Sequence, residues 1–154
     1  MLDKRHFYIN GAWVAPIDGR DLAVIDPSTE EPCATISLGG DADTDAAVAA
    51  ARAALPAYMA TPPAERLALV QRILEVYKRR NDEMGAAISL EMGAPIDMSK
   101  ASQATSGTWH IENFIRAFDQ IDWDAPLSDK APEDRIIKEA VGVCALITPW
   151  NWPM

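Results

Sequence analysis

The sequence has little cysteine, little histidine, few basic residues and no long apolar run. Each shortage excludes something. Cys33 and Cys144 form no C-x-x-C or zinc-type spacing, and they lie too far apart in sequence for a pairing to be inferred. A reduced, cytoplasmic setting is the simpler expectation. His6 and His110 are the only histidines. One falls beside Lys4-Arg5, the other beside Trp109 on a helical stretch, and neither has the company a metal site needs. Lys and Arg number 14 against 23 Asp and Glu, a net charge of −9. That balance leaves no basic face for duplex nucleic acid or an anionic membrane, so neither is expected as a partner. Nothing approaches the ~20 apolar residues of a membrane helix, and Met1 to His6 open no signal-type segment. No glycine-rich phosphate loop is present. Asp122, Asp124, Asp129, Glu133 and Asp134 lack the ligand spacing and central glycine of a calcium loop.

What is present suits a globular α/β protein, since 49% of residues are hydrophobic and 24% charged. A length of 154 residues allows one domain or a piece of a larger one. Phe7 to Val14 reads as a hairpin, because Asn10-Gly11 accepts the positive φ angles of a type I′ turn. Leu22 to Asp26 and Ala34 to Leu38 read as strands, with a turn at Asp26-Pro27-Ser28-Thr29. Asp41, Asp43 and Asp45 start an Ala-rich helix that runs to about Leu55. Thr61 as N-cap and Pro62 at the first helical position open a second, with Leu67, Val70, Leu74 and Tyr77 facing the core. Asn81-Asp82 restarts the helix, and Gly93 with Pro95 ends it. A third helix is predicted from about Ile96 to Ile121, with an apolar stripe of Ile111, Phe114, Ile115 and Phe118. The polar stretch 122–135 reads as a linker or exposed ribbon, and Arg135 to Glu139 as a half-buried strand. Val141 to Ile147 is apolar throughout, as in a central parallel strand, and Cys144 is expected to be buried within it.

Ligands of open α/β sheets sit beyond the carboxyl ends of the strands. Thr148 to Met154 falls at such an end. It offers two indoles, two prolines and the Asn151 carboxamide. A carboxamide held by stiff neighbours donates N–H to a developing oxyanion without carrying charge. From the residues alone a second reading stands beside it, in which Asn151 caps a following helix and the tryptophans fill a core.

Ile147-Thr148-Pro149-Trp150-Asn151-Trp152-Pro153 resembles the Pro-Trp-Asn motif of the aldehyde dehydrogenase superfamily. The likeness continues upstream in order. It takes in Phe7 to Val14, Val24 to Glu31, the helix Asp43 to Arg52, Pro63 to Arg66, Leu90 to Pro95, and Glu139 to Cys144. The resemblance implies the N-terminal part of that fold: a β-hairpin, three helices, oligomerisation-arm strands and the first strand of a Rossmann-like sheet. Residues 1–121 would be the hairpin and helical part of the cofactor-binding domain. Residues 122–139 would form the arm, and 140–154 the first sheet strand with the motif.

The activity implied is oxidation of an aldehyde to a carboxylic acid with NAD or NADP. A cysteine attacks the aldehyde, hydride passes to the nicotinamide, and a glutamate activates water to release the acid. Asn151 matches the oxyanion-stabilising asparagine. Ile147, Thr148, Pro149 and Trp150 match positions lining the cofactor side of the pocket. Val24, Ile25 and Glu91 match the surroundings of a structural monovalent cation found in some members. A homo-oligomer, dimer or tetramer, is implied for the full-length protein.

In that family the nucleophile, the general base and the cofactor-phosphate elements all follow the Pro-Trp-Asn motif. The chain is therefore expected to be an N-terminal portion, inactive and marginally stable alone. Cys33 and Cys144 are not expected to replace the nucleophile. The rival expectation is a non-catalytic interaction or oligomerisation protein derived from the same part of the fold.

Overall fold

The computed structural model describes residues 1–154. Five strands lead: β1 (Leu2–Lys4), β2 (Phe7–Ile9), β3 (Ala12–Val14), β4 (Arg20–Asp26) and β5 (Glu31–Leu38). Helices α1 (Asp41–Ala60), α2 (Pro63–Arg79) and α3 (Asn81–Met92) follow. A further helical run begins as α4 (Ile96–Met98), widens into a π-helical stretch (Ser99–Ala104) and continues as α5 (Thr105–Phe118). Strands β6 (Asp124–Ser128) and β7 (Ala131–Ile137) come last.

The β2–β3 hairpin turns where expected, with Asn10 at φ 51° and Gly11 at φ 78°. β5 is the middle strand of a three-stranded sheet. β1 runs parallel to it with Leu2 opposite Ala34, and β4 antiparallel with Arg20 opposite Leu38. The β4–β5 turn is set by Asp26, whose Oδ1 accepts from the Ser28 N–H at 2.8 Å and its hydroxyl at 2.6 Å.

Three helix boundaries differ from expectation. α1 passes through Pro56 and ends at Ala60. Thr61 belongs to that end: its hydroxyl donates to the Ala57 carbonyl at 3.2 Å and its N–H to that of Tyr58 at 3.1 Å. Engaged backwards, it cannot cap α2, so Pro62 takes the cap position and Pro63 the first helical one. The last helix stops at Phe118, because Gln120 and Ile121 donate to carbonyls only three residues back, those of Ala117 and Phe118.

The core lies where α2 and α3 pack on the π-helical stretch and α5. Leu74, Ile88, Ala94 and Ala104 are buried there. Gly85 lets α3 approach closely, since a Cβ on it would lie 2.9 Å from the Lys100 Cα. Lys78 and Glu112 join α2 to α5 at 2.9 Å. Of the expected α5 stripe, Ile111, Ile115 and Phe118 are half-buried, but Phe114 is 52% exposed at its edge, beyond the cover of α2.

β6 and β7 pair as an antiparallel ribbon, tied by Arg135 to Asp124 at 2.8 Å. Arg135 to Ile137 are exposed rather than half-buried. The largest departure is at Val141 to Ile147, which forms no strand. A strand exists through pairing, and none of β1 to β7 is hydrogen-bonded to this stretch. Val141 is consequently 98% exposed, and Cys144 is exposed instead of buried.

Candidate functional site

The expected site rests on the π-helical stretch. Ser99, Gln103 and Gly107 recur at four-residue spacing and turn inward, the first two almost wholly buried. Three carbonyls there receive side-chain donors, that of Gln103 from the Ser106 hydroxyl at 2.7 Å. That of Lys100 accepts from Asn81 Nδ2 at 3.2 Å and the Thr105 hydroxyl at 3.0 Å. That of Ala104 accepts from the Tyr77 hydroxyl at 2.6 Å. Burial pushes the Tyr77 phenol above its ordinary range. Gly93, left-handed at φ 79°, ends α3 against Pro27, where a Cβ would lie 2.5 Å from the proline Cγ.

Onto this shelf comes the turn at Trp150-Asn151. Gln103 Nε2 donates to the Asn151 carbonyl at 3.2 Å and faces Met92 Sδ at 3.6 Å. The Gln103 Oε1 atom is buried with no donor. The backbone of Asn151 is therefore anchored while its residue stays exposed. Ile147 and Trp150 are 93% and 82% exposed, and Thr148 and Pro149 are exposed with them. The predicted residues thus share one open strip that encloses nothing by itself.

Val24 and Ile25 lie at the bulge of β4, and Glu91 in the last turn of α3, which packs against β4. The Val24 carbonyl already accepts from the Cys33 thiol at 3.4 Å. No cluster of three or more His, Cys, Asp or Glu side chains with metal-holding geometry occurs. No helix is long and apolar enough to cross a membrane.

Gln103 escaped the sequence reading. Its signal was a polar amide in a four-residue series of otherwise small residues, Ser99 and Gly107, on a helix judged only by its large apolar side chains.

The profile of the aldehyde dehydrogenase family matches residues 13–154. A 3-succinoylsemialdehyde-pyridine dehydrogenase from a Pseudomonas species is 38% identical over 100% of this chain and 32% of its own length. The crystal structure of an aldehyde dehydrogenase from Bartonella henselae is 50% identical over 84% of this chain and 27% of its own, with a TM-score of 0.82. An aldehyde dehydrogenase C variant from Pseudomonas syringae, solved with NAD+ and octanal, is 40% identical over 96% of this chain and 30% of its own, with a TM-score of 0.90. The chain thus spans about a third of the length of the curated relatives it matches.

Proposed function

Because the chain belongs to the aldehyde dehydrogenase family, we propose that it supplies the N-terminal part of an NAD(P)-dependent oxidoreductase converting an aldehyde to a carboxylic acid. One observation carries the reading: Asn151 stands exposed on a turn whose backbone is fastened to a buried side chain. Its carboxamide N–H is the oxyanion donor. As a nucleophile adds to the aldehyde carbon, the carbonyl oxygen gains charge, and a fixed neutral dipole stabilises that charge with little reorganisation. Pro149 and Pro153 on either side restrict the backbone torsions that would let the donor drift.

NAD or NADP, when bound, supplies the hydride acceptor. Ile147, Thr148, Pro149 and Trp150 fit one wall for it, being mostly apolar, open to solvent and furnished with one hydroxyl. Nothing in that strip neutralises a diphosphate; family membership implies that the phosphate partners, the nucleophile and the general base belong to other parts of the whole protein. Residues 1–121 form the hairpin and helical part of the cofactor domain, and 140–154 lead into its sheet. Residues 122–139, with their bare ribbon, form the arm that meets a second subunit in a dimer or tetramer. A monovalent cation held by the carbonyls of Val24 and Ile25 and by Glu91 would have a structural role.

The test is aldehyde-dependent NADH formation by the whole protein with octanal as probe. Asn151→Ala is expected to lower kcat by about 10²–10³-fold. An unchanged kcat would remove Asn151 from the reaction. Neither NADH nor NADPH from the unaltered whole protein, given NAD or NADP with any of a panel of aldehydes, would overturn the activity itself.

A further inference from the structure

We infer that Gln103 is the positioning residue for Asn151: its amide N–H end clamps the Asn151 carbonyl and so fixes where the neighbouring carboxamide points. The inference rests on the role proposed for Asn151. Three features carry it. Gln103 is 2% exposed, so the amide is held by packing and does not wander. Its Nε2 lies 3.2 Å from the Asn151 carbonyl, 48 residues away in sequence. Its other end, Oε1, is buried and receives no donor.

The third feature separates positioning from mere packing. A buried amide with one satisfied end loses part of its hydrogen-bonding gain to the desolvation of the other end. A residue kept only to fill this space would be better as an apolar side chain of the same length. The surrounding geometry supports the clamp. Gln103 lies in the π-helical stretch, whose neighbouring carbonyls of Lys100 and Ala104 are tied to α2 and α3 by Tyr77 and Asn81. Displacement of the stretch would therefore move the Asn151 turn with it. The exposed strip from Ile147 to Trp150 offers no other side-chain hydrogen bond to hold the turn.

Gln103→Met keeps the volume and removes both amide atoms. Its thermal midpoint is expected to equal or exceed that of the unaltered chain. The backbone order parameters of Asn151 and Trp152, from ¹⁵N relaxation, are expected to fall from about 0.85 to below about 0.6, while those of α3 and α5 hold. Gln103→Glu supplies the rescue. Ionised, it repels the Asn151 carbonyl; protonated, it donates to it. Order at Asn151 should then be low above the pKa of that carboxyl, which burial raises, and recover as pH falls through it, which no space-filling role would produce.

Unchanged order at Asn151 in Gln103→Met overturns the clamp. Loss of order throughout α3 and α5 with a lowered midpoint also overturns it, in favour of simple packing. In the whole protein, Gln103→Met is expected to lower kcat about tenfold and leave the KM for the nucleotide unchanged. The relaxation measurement needs no turnover. A loosened turn in a protein without dehydrogenase activity would uphold the clamp and overturn the proposed reaction.

Discussion

Asp43 and Ile17 are joined by a 2.8 Å hydrogen bond across 26 residues, from the Ile17 N–H to the carboxylate Oδ1. The other oxygen accepts from the Gly40 N–H at 3.0 Å. Gly40 precedes α1 and has no side chain with which to cap it, so a carboxylate from the first turn reaches back instead. The same carboxylate pins the loop between β3 and β4.

That double role should appear in acid. The N–H groups of Gly40 and then Ile17 hold the Asp43 carboxyl below the usual carboxylate range. A lowered folded value stabilises above the unfolded value of about 4 and ceases to do so as pH falls through the folded one. Asp43→Asn is expected to melt well below the parent at pH 7, with the gap closing towards pH 3. A gap that stays constant between those values would refute the assignment.

Gly85→Ala sets helix propensity against packing. In an exposed helix the change would stabilise by up to about 1 kcal/mol. Here the new Cβ would meet the Lys100 backbone at 2.9 Å, and backbone yields less readily than a side-chain end. A net loss of about 1–3 kcal/mol is expected in urea titration. A gain would show that α3 and the π-helical stretch separate easily.

Tyr77→Phe removes the 2.6 Å bond to the Ala104 carbonyl, on a residue that is wholly buried. A loss of about 1–3 kcal/mol is expected, since an acceptor is left without its partner. Burial raises the Tyr77 phenol. The parent's advantage is therefore full below about pH 10, the unfolded value, and is lost as pH rises through the folded one. Equal stability of parent and variant at pH 7 would count against the bond.

Much of the fold was legible because local chemistry decides it. Asn10-Gly11 can turn only one way, and Asp26-Pro27-Ser28 and Gly93 each impose their geometry on neighbours. The first turn of α1 was legible as acidic, but nothing in the sequence reveals that Asp43 also reaches Ile17. Thr61 was misassigned because a threonine before two prolines reads equally as the end of one helix and the start of the next. The apolar character of Val141 to Ile147 points to a strand. Character supplies a tendency, whereas a strand is a property of two segments together. For the candidate site, the motif around Asn151 was plain, and its anchor Gln103 was not. A contact between residues 103 and 151 depends on how a helix, a ribbon and a tail fold back together.

The 48-residue span between Gln103 and Asn151 also sets an order of events. The contacts of α2, α3 and α5 close shorter stretches of chain, and such contacts form at smaller entropic cost. During synthesis from the N-terminus the helical shelf is translated whole before the codons for the Asn151 turn are read. Among these residues the Asn151 turn is thus translated after the shelf that receives it, and it docks onto a surface whose own contacts are local.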